Sequence, residues 1–409
     1  MRAVLCLASY EKGHDFLREC RRQGWQVLLL TSLSLQNKAK WPMESIDEIF
    51  YMPDADNVWD RAQTRNAVSF LARSHNIERI VALDDFDVEV AAMLREHLRV
   101  PGLGESGAHY FRDKLAMRIR AREAGLKVPE FAGVINYDKI REFLNRAPSP
   151  WLLKPRSMAG ALGIKKLWRQ EEFWPLLEAL GDEQSNYLLE GWIAGAVYHV
   201  DSLAAEGHVV FAIASQYGRP PIETSHDGGI FSTRTLDRES ALTKELLRKN
   251  KLVLESMGLE RGVSHTEFIV ADSGGDSGGD SGGENPAEIY FLETSCRVGG
   301  AYISESVLAA SGLNLWTEWA KVELADSYPA PIAENNYSGL MISLSRQEKP
   351  DTSSYTDPEI VWRLDLPHHV GLLVKSPRVE RVDQLLTEYA QRIQKDFHAS
   401  LPPKDRPTN

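Results

Sequence analysis

The first hundred residues alternate short apolar runs with amphipathic stretches of helical period. Residues 2–8 and 25–32 have the pattern of buried strands, and residues 13–23 between them have that of a helix. A further strand is predicted at 77–85 and a helix at 87–98. Strands that alternate with helices form a parallel sheet with crossover connections. The pattern therefore predicts a doubly wound α/β domain, and the absence of a GxGxxG motif disfavours a dinucleotide site in it.

Length and composition narrow the classes of protein that remain. The chain has 409 residues, more than the roughly 250–300 at which a single core stops growing, so we expect several domains. The net charge of −11 without a dense Lys/Arg run disfavours nucleic-acid partners and anionic membranes. No apolar run is long enough for a signal sequence or a membrane span. Three scattered cysteines disfavour a disulfide framework or zinc site and favour the cytoplasm.

After residue 104 the pattern changes to α+β. Residues 105–129 are predicted to form one helix, with Ser106 as its N-cap and one apolar face, and short strands of an antiparallel or mixed sheet follow it. We expect four parts: an N-terminal α/β domain at 1–104, a central lobe at 105–200, a C-terminal lobe at 201–334, and a final α/β subregion with a tail at 335–409.

A low-complexity segment interrupts the C-terminal lobe. The tract at 272–286 repeats Asp-Ser-Gly-Gly and has too few apolar groups to fold. A calcium-binding repeat is the alternative, but such repeats need an apolar position that is missing here. We predict a disordered surface loop.

A loop of small residues follows an apolar strand at "WLLKPRSMAGALG". Lys154 ends the strand, and Ser157, Gly160 and Gly163 lie in the loop. Small residues let backbone N–H groups approach a phosphate, and the lysine supplies positive charge. The lysine precedes the glycines, so this is not a Walker A motif. A hairpin with a solvated lysine explains the same residues about equally well.

A second apolar strand ends at "YLLEGWIAG". Glu190 is its last residue, and Trp192 and Ile193 follow in an extended stretch. Free backbone groups beside apolar side chains suit the edge and faces of an adenine ring. A strand pair joined by a glycine-bearing turn is the simpler interpretation.

Two further apolar strands each carry one carboxylate. Glu267 lies in "HTEF" and Glu293 in "FLETSCRVGG", and the Gly-rich tract between them predicts an antiparallel pair. Two ionised carboxylates about 4 Å apart repel by about 4 kcal/mol at an effective dielectric of 20, so they need a cation between them. Mg²⁺ suits one or two carboxylates plus phosphate oxygens. Arg297 would face the phosphoryl group or a substrate carboxylate. A salt bridge between Glu293 and Arg297 is the alternative.

In this order along the chain, and together with "FRDKLAMR", these stretches resemble the ATP-grasp superfamily over roughly residues 80–320. The resemblance implies an ATP-grasp fold behind the N-terminal domain. It implies that Lys114 and Lys154 contact the nucleotide phosphates under the loop with Ser157, Gly160 and Gly163. Glu190, with the backbone of Trp192 and Ile193, would face the adenine.

The same resemblance assigns the metal and ribose contacts. Glu267 and Glu293 would bind Mg²⁺, or Mn²⁺ in its place, with Ser295 where the family usually has asparagine. Val197 stands where many members have a ribose-binding glutamate, so either His199 or Asp201 would take that role or ribose binding is weaker.

Within the superfamily the chain looks most similar to amino-acid ligases and biotin carboxylase-like enzymes. This implies a cytoplasmic ATP-dependent ligase that activates a small carboxylate as an acyl-phosphate, steadied by Arg297, and joins it to an amine. The loop "HDGGIFSTRT" suggests Arg234 as a phosphate or substrate contact, and a solvated loop arginine is the equal alternative. Gly299 and Gly300 complete the substrate assignment. A non-catalytic ATP-binding regulator and a bicarbonate-using carboxylase are the alternatives. A homodimer is the default expectation, without sequence evidence.

Overall fold

The computed structural model describes residues 1–222, 229–272 and 288–400. The predicted loop at 272–286 falls outside these residues except for Asp272, which follows a strand. Within the described residues, no helix has both the length and the apolar character that crossing a membrane would need.

The N-terminal part is a parallel sheet with helices around it. Its elements are β1 (Arg2–Ala8), α1 (His14–Arg22), β2 (Gln26–Ser32), β3 (Glu48–Met52), β4 (Asp54–Ala55), β5 (Val58–Trp59), α2 (Arg61–Leu71), β6 (Asn76–Ala82) and α3 (Val88–Leu98). Four parallel strands form the sheet in the order β3-β2-β1-β6. Residues of β1 and β2 are buried on both faces, as expected where crossover helices cover a parallel sheet.

The predicted helix over 105–129 is broken in the structure. The segment forms α4 (Glu105–Ala108), a 3-10 turn at His109–Phe111, and α5 (Lys114–Glu123). The break falls at Asp113, because its side chain accepts hydrogen bonds from the N–H groups of Leu115 and Ala116 and caps a new helix. The N-cap prediction for Ser106 is wrong, because α4 begins at Glu105 and its N-cap is Gly104. Lys114 becomes the first residue of α5, and its N–H donates to Arg156 O over 2.9 Å.

A small antiparallel sheet follows. Its elements are β7 (Phe131–Gly133), α6 (Tyr137–Arg146), β8 (Trp151–Pro155), β9 (Lys165–Leu167), α7 (Gln170–Leu180) and β10 (Tyr187–Gly191). The strand order is β7-β10-β8-β9, and all of these neighbours are antiparallel. Phe143 of α6 and Phe173 of α7 pack with Leu153 of β8 and Leu189 of β10 in one buried cluster.

The rest of the described chain builds one large antiparallel sheet. Its elements are β11 (Gly195–Ala205), β12 (His208–Tyr217), β13 (Phe231–Thr235), α8 (Ala241–Met257), β14 (Gly262–Ala271), β15 (Ile289–Ser295), α9 (Ile303–Ser311), α10 (Leu315–Leu324), β16 (Tyr337–Leu344), β17 (Ile360–Arg363), β18 (His369–Ser376) and α11 (Val379–Asp396). Eight strands lie in the order β15-β14-β11-β12-β13-β16-β18-β17.

Two of the domain boundaries predicted from the sequence fall within the large antiparallel sheet. The predicted boundary at residue 200 lies inside β11, whose ten paired residues from Gly195 to Ala204 run continuously against β14. The predicted last subregion supplies β16, which pairs with β13 of the same sheet. We therefore propose that the chain divides where the sheets change, between Gly191 and Gly195. A parallel sheet followed by antiparallel sheets with helices confirms the predicted α/β and α+β class.

Candidate active site

A cavity of about 450 Å³ is lined by residues of both antiparallel sheets and by connecting segments, among them the one that follows β6 of the parallel sheet. Eleven of the residues predicted for the site line it: Lys114, Lys154, Gly160, Glu190, Trp192, Ile193, Glu267, Glu293, Ser295, Arg297 and Gly300. Five others are not among its lining residues: Ser157, Gly163, His199, Arg234 and Gly299.

The two carboxylates predicted to hold a metal are direct cross-strand partners. Glu267 on β14 pairs with Glu293 on β15, and both side chains line the cavity. Lys114 Nζ lies 3.0 Å from Glu293 Oε2, and Tyr217 Oη donates to Glu267 Oε1 over 2.9 Å. Glu293 thus lies beside a cation, and Glu267 accepts a hydrogen bond from a hydroxyl.

Ser295 lies two residues beyond Glu293 on the same strand. Its buried Oγ has no hydrogen-bond partner in the described structure, although the residue lines the cavity. A buried hydroxyl without a partner costs about 1–3 kcal/mol, which a ligand or a metal-bound water would relieve. With Glu267 and Glu293 it completes a set of oxygen donors on one wall, the donor type that Mg²⁺ prefers. These three residues fit a divalent cation.

Lys154 and Glu190 are joined in a buried ionic trio with Arg118. Arg118 Nε donates to Glu190 Oε1 over 2.5 Å, and Lys154 Nζ donates to Glu190 Oε2. Burial alone would raise the pKa of Glu190, but the charges of Arg118 and Lys154 outweigh it and lower the pKa to about 2. Burial lowers the pKa of Lys154 against the opposing charge of Glu190. Glu190 therefore anchors the lysine from within the cavity wall.

The stretch predicted to face adenine is only partly free. The Trp192 N–H donates to Pro150 O over 3.0 Å, and the Gly191 N–H donates to Glu130 O over 2.8 Å. The indole ring of Trp192 makes a cation–π contact with Lys166, whose Nζ lies 3.8 Å from the ring centroid. Trp192 and Ile193 both line the cavity. An adenine edge would therefore have to use backbone groups other than the Trp192 N–H.

His199 lies in a buried network behind the wall that carries Glu267 and Glu293. Its Nδ1 bonds to Asp201 Oδ2 at 2.7 Å, and its Nε2 bonds to Thr233 Oγ1 at 2.7 Å. With both ring nitrogens engaged and the ring 1% exposed, His199 has no group to offer a ribose. Asp201 is 0% exposed and likewise does not line the cavity. The structure thus places both ribose candidates away from it.

Asp201 also binds His265, which extends the network to the carboxylate Glu267. His265 Nδ1 lies 2.8 Å from Asp201 Oδ1, and its Nε2 lies 3.1 Å from Tyr217 Oη and 3.5 Å from Glu267 Oε1. Burial would lower the pKa of His265, but the Asp201 carboxylate outweighs it and raises the pKa to about 9. His199, Asp201 and His265 are close enough to hold a metal ion together, yet each already has a hydrogen-bond partner. We therefore assign them to a network that orients Glu267.

Arg297 reaches across to the N-terminal sheet. Its Nε donates to Asp85 Oδ2 over 2.6 Å, and its Nη1 donates to Val298 O over 2.9 Å. Burial would lower the pKa of Arg297, but Asp85 and its neighbour Asp84 raise it, so the guanidinium stays charged. The cavity wall thus has a positive group beside the predicted metal ligands.

The sequence analysis missed several polar lining residues, among them Asp85, Arg112 and Tyr217. Asp85 had a usable signal, because it follows β6 at the carboxyl end of a parallel strand, where α/β sheets bind ligands. Arg112 lies beside Lys114, and its Nη2 donates to Ser157 O over 2.5 Å. Tyr217 ends β12 with no distinguishing motif.

The remaining predicted residues lie outside the cavity. Arg234 pairs with Asp383 of α11 at 2.7 Å and donates to Gln216 at 3.1 Å, which directs it away from the predicted substrate role. Arg234 lies in strand β13 and not in the predicted loop, and His226, Asp227 and Gly228 of the same sequence stretch fall outside the described residues. Ser157 contributes its carbonyl to Arg112, and Gly163 takes a φ of +71° in the loop.

Gly299 supports the site from behind. A Cβ on it would lie 2.9 Å from Asp201 Oδ1 and 3.0 Å from His265 Nδ1. The close approach of backbone to this pair requires glycine. Gly300 has open space at the same point and lines the cavity.

The sequence was compared with protein families and with characterised proteins. No family model matches the chain. An L-arginine-specific L-amino acid ligase of Bacillus subtilis is 24% identical over 267 residues, which are 64% of this chain and 61% of that protein. The match thus spans less than two thirds of the relative's length.

Solved structures match over nearly the whole chain. The L-amino acid ligase from Bacillus licheniformis has a TM-score of 0.73 at 14% identity, covering 97% of this chain and 98% of that one. The N5-carboxyaminoimidazole synthetase from Staphylococcus aureus, complexed with ADP, has a TM-score of 0.69 at 14% identity, covering 95% and 96%. The chain has the ATP-grasp fold that its sequence predicts.

Proposed function

We propose that this chain is an ATP-dependent carboxylate–amine ligase acting on an amino acid or a similar small acid. The observation that carries the proposal is one cavity that contains the Glu267–Glu293 pair, the partnerless Ser295 hydroxyl, two lysines and Arg297. The likeness to two L-amino acid ligases supports the reaction class. The ADP complex of the synthetase supports ATP as the nucleotide.

Different residues of the cavity would neutralise different negative charges of ATP and the substrate. Glu267, Glu293 and Ser295 would hold Mg²⁺, or Mn²⁺ in its place, and that ion would neutralise charge on the phosphates. Lys114 and Lys154 would contact the phosphate oxygens, and both already lie beside a carboxylate of the same cavity. Arg297 would steady the substrate carboxylate and then the acyl-phosphate.

The chemistry asks the protein for position and charge, not for a nucleophile. A carboxylate oxygen of the substrate attacks the γ-phosphorus, and the bond to ADP breaks. The amine nitrogen then attacks the acyl carbon, the carbon–oxygen bond to phosphate breaks, and the amine loses a proton. Holding the two substrates together supplies most of what the second step needs.

The test is turnover with defined acids. The enzyme is given Mg²⁺, ATP and each of the common L-amino acids, singly and in pairs, and ADP release is measured. Hydroxylamine in parallel reactions converts any acyl-phosphate to a hydroxamate, so acid activation is detected without knowing the natural amine. We expect at least one acid to give both ADP and a hydroxamate, and mass spectrometry to find a condensed product with a second amino acid.

Other outcomes separate the alternatives. Turnover with bicarbonate and without an amino acid would favour a carboxylase. Binding of magnesium-ATP without turnover for any acid would favour a regulatory protein and contradict the ligase. Cytoplasmic location and a homodimer stay predictions, which fractionation of cells and light scattering would check.

A further inference from the structure

Asp85 combines burial, charge and an unused oxygen at the cavity. It follows β6, is 5% exposed and lines the cavity. Its Oδ2 accepts from Arg297 Nε, but its Oδ1 is buried and has no hydrogen-bond partner in the described structure. Asp85 and Ser295 are the two cavity-lining residues in the described chain with such an atom.

The charges around Asp85 keep it ionised. Burial would raise its pKa, but Arg297 and Arg112 outweigh burial and lower it, with a smaller contribution from Lys12. An ionised oxygen in a buried wall needs a hydrogen-bond donor, and a positively charged donor satisfies it best. Ser295 differs, because a neutral hydroxyl is satisfied by an ion or a water.

The neighbouring cations donate hydrogen bonds to atoms other than Asp85 Oδ1. Arg297 uses Nε on Oδ2 and Nη1 on Val298 O. Arg112 Nη2 donates to Ser157 O, and Lys12 Nζ pairs with Asp84. None of these recorded bonds reaches Oδ1 of Asp85. Because no donor of the described residues contacts Oδ1 and Asp85 lines the cavity, a group bound there can supply one.

We propose that Asp85 Oδ1 receives the α-ammonium group of the acid that the enzyme activates, while Arg297 contacts its carboxylate. An α-amino acid separates these two groups by a single carbon, and Asp85 and Arg297 are themselves in direct contact at 2.6 Å. The inference rests on the proposed ligase function and narrows it, because it makes an α-amino acid, and not a simple carboxylic acid, the activated substrate.

The experiment compares each amino acid with its counterpart that lacks the amino group. The acid with the highest hydroxamate rate in the amino-acid panel is paired with that counterpart, as L-alanine is with propionate, and kcat/KM is measured for both. Hydrogen bonds to charged groups are worth about 1.5–3 kcal/mol, so the wild-type enzyme should prefer the amino acid by roughly 10- to 100-fold. Asp85→Asn should bring that preference to within about 3-fold, since the amide keeps an acceptor for Arg297 but loses the charge.

Asp84→Asn is the matched control, because Asp84 is equally buried and pairs with Lys12 outside the cavity lining. It should leave the preference unchanged. Asp85→Glu, which keeps the charge, should retain more of the preference than Asp85→Asn. If Asp85→Asn fails to fold, the proposal is judged from the other two enzymes. It requires that the wild-type enzyme prefers the amino acid and that Asp85→Glu retains part of that preference.

The two proposals fail in different ways. No hydroxamate from any acid would contradict the ligase function itself. Hydroxamate formation with equal kcat/KM for both members of the pair would overturn the role of Asp85 and leave the ligase standing. So would an unchanged preference in a folded Asp85→Asn enzyme, because Asp85 would then act only by positioning Arg297.

Discussion

Glu267 and Glu293 face each other across neighbouring antiparallel strands, with both side chains in the same cavity. The ladder shifts register immediately after this pair, between Glu267 and Phe268. A register irregularity next to functional side chains is a common way of aiming them. Two carboxylates on one wall are costly unless a cation lies between them, and here the nearest recorded one is Lys114 on Glu293.

Removal of either carboxylate should strongly lower metal-dependent turnover. A bound metal is worth several kcal/mol of transition-state stabilisation, so Glu267→Gln and Glu293→Gln should each lower kcat/KM by at least about 100-fold. Glu288→Gln, on the exposed ion pair with Lys127, is the matched control and should retain activity. The measurement is ADP release over a Mg²⁺ titration. Variants that keep the wild-type Mg²⁺ midpoint and rate would contradict the metal assignment.

The Tyr217 hydroxyl should affect Mg²⁺ binding, because it orients Glu267. It donates to Glu267 Oε1 over 2.9 Å from within the buried network. Groups that orient a metal ligand typically cost 10- to 100-fold in metal affinity or activity when removed. Tyr217→Phe should therefore shift the Mg²⁺ midpoint of ADP release upward by about 10-fold. Tyr290→Phe removes a similar bond to the exposed Glu288 and should leave the midpoint in place.

The Arg118–Glu190–Lys154 trio predicts a pH-dependent contribution to stability. Glu190→Gln leaves two buried cations without their anion, which should lower the free energy of unfolding by about 3–5 kcal/mol near neutral pH. Glu190 has a folded pKa of about 2 against an ordinary 4.5. Its charge therefore stabilises the fold above pH 4.5, and that contribution is lost as the pH falls from 4.5 to 2.

Urea unfolding followed by fluorescence at several pH values checks this prediction. The gap between wild type and Glu190→Gln should narrow as the pH falls through that range. Glu123→Gln, on the exposed ion pair with Arg120, should track the wild type throughout. A gap that is the same at every pH would show that the loss comes from packing and not from charge.

The sequence was informative where local pattern determines structure. Glu267 and Glu293 lie on two apolar strands separated by a Gly-rich tract, a pattern that predicts an antiparallel pair, and the structure pairs the two residues directly. The lysine at the end of β8 and the carboxylate at the end of β10 were found in the same way. These strand ends converge because the chain returns antiparallel to itself.

Contacts between distant segments could not be predicted from one sequence. Arg118 lies in the charged helix "KLAMRIRARE" and looks solvated, yet it is 0% exposed and binds Glu190, 72 residues away. Arg297 meets Asp85 across 212 residues. Neither pair leaves a periodic signal, because each depends on how two separately folded parts dock. The broken helix at Asp113 is a local miss, in which a side-chain cap outweighed a continuous helical period.

Gly299 and Gly300 give a matched pair for testing the support behind the wall that carries Glu267 and Glu293. A methyl group on Gly299 would press on Asp201, His265 and Ile303 at 2.9 to 3.0 Å, whereas one on Gly300 meets nothing within 4 Å. Overpacking of a fixed site costs about 1–3 kcal/mol. Gly299→Ala should therefore lower the free energy of unfolding by that amount, and Gly300→Ala should leave it within about 0.5 kcal/mol of wild type. Because Asp201 holds His265 beside Glu267, Gly299→Ala should also raise the Mg²⁺ midpoint, so equal stability and equal midpoints for the two variants would show that this wall is not rigid.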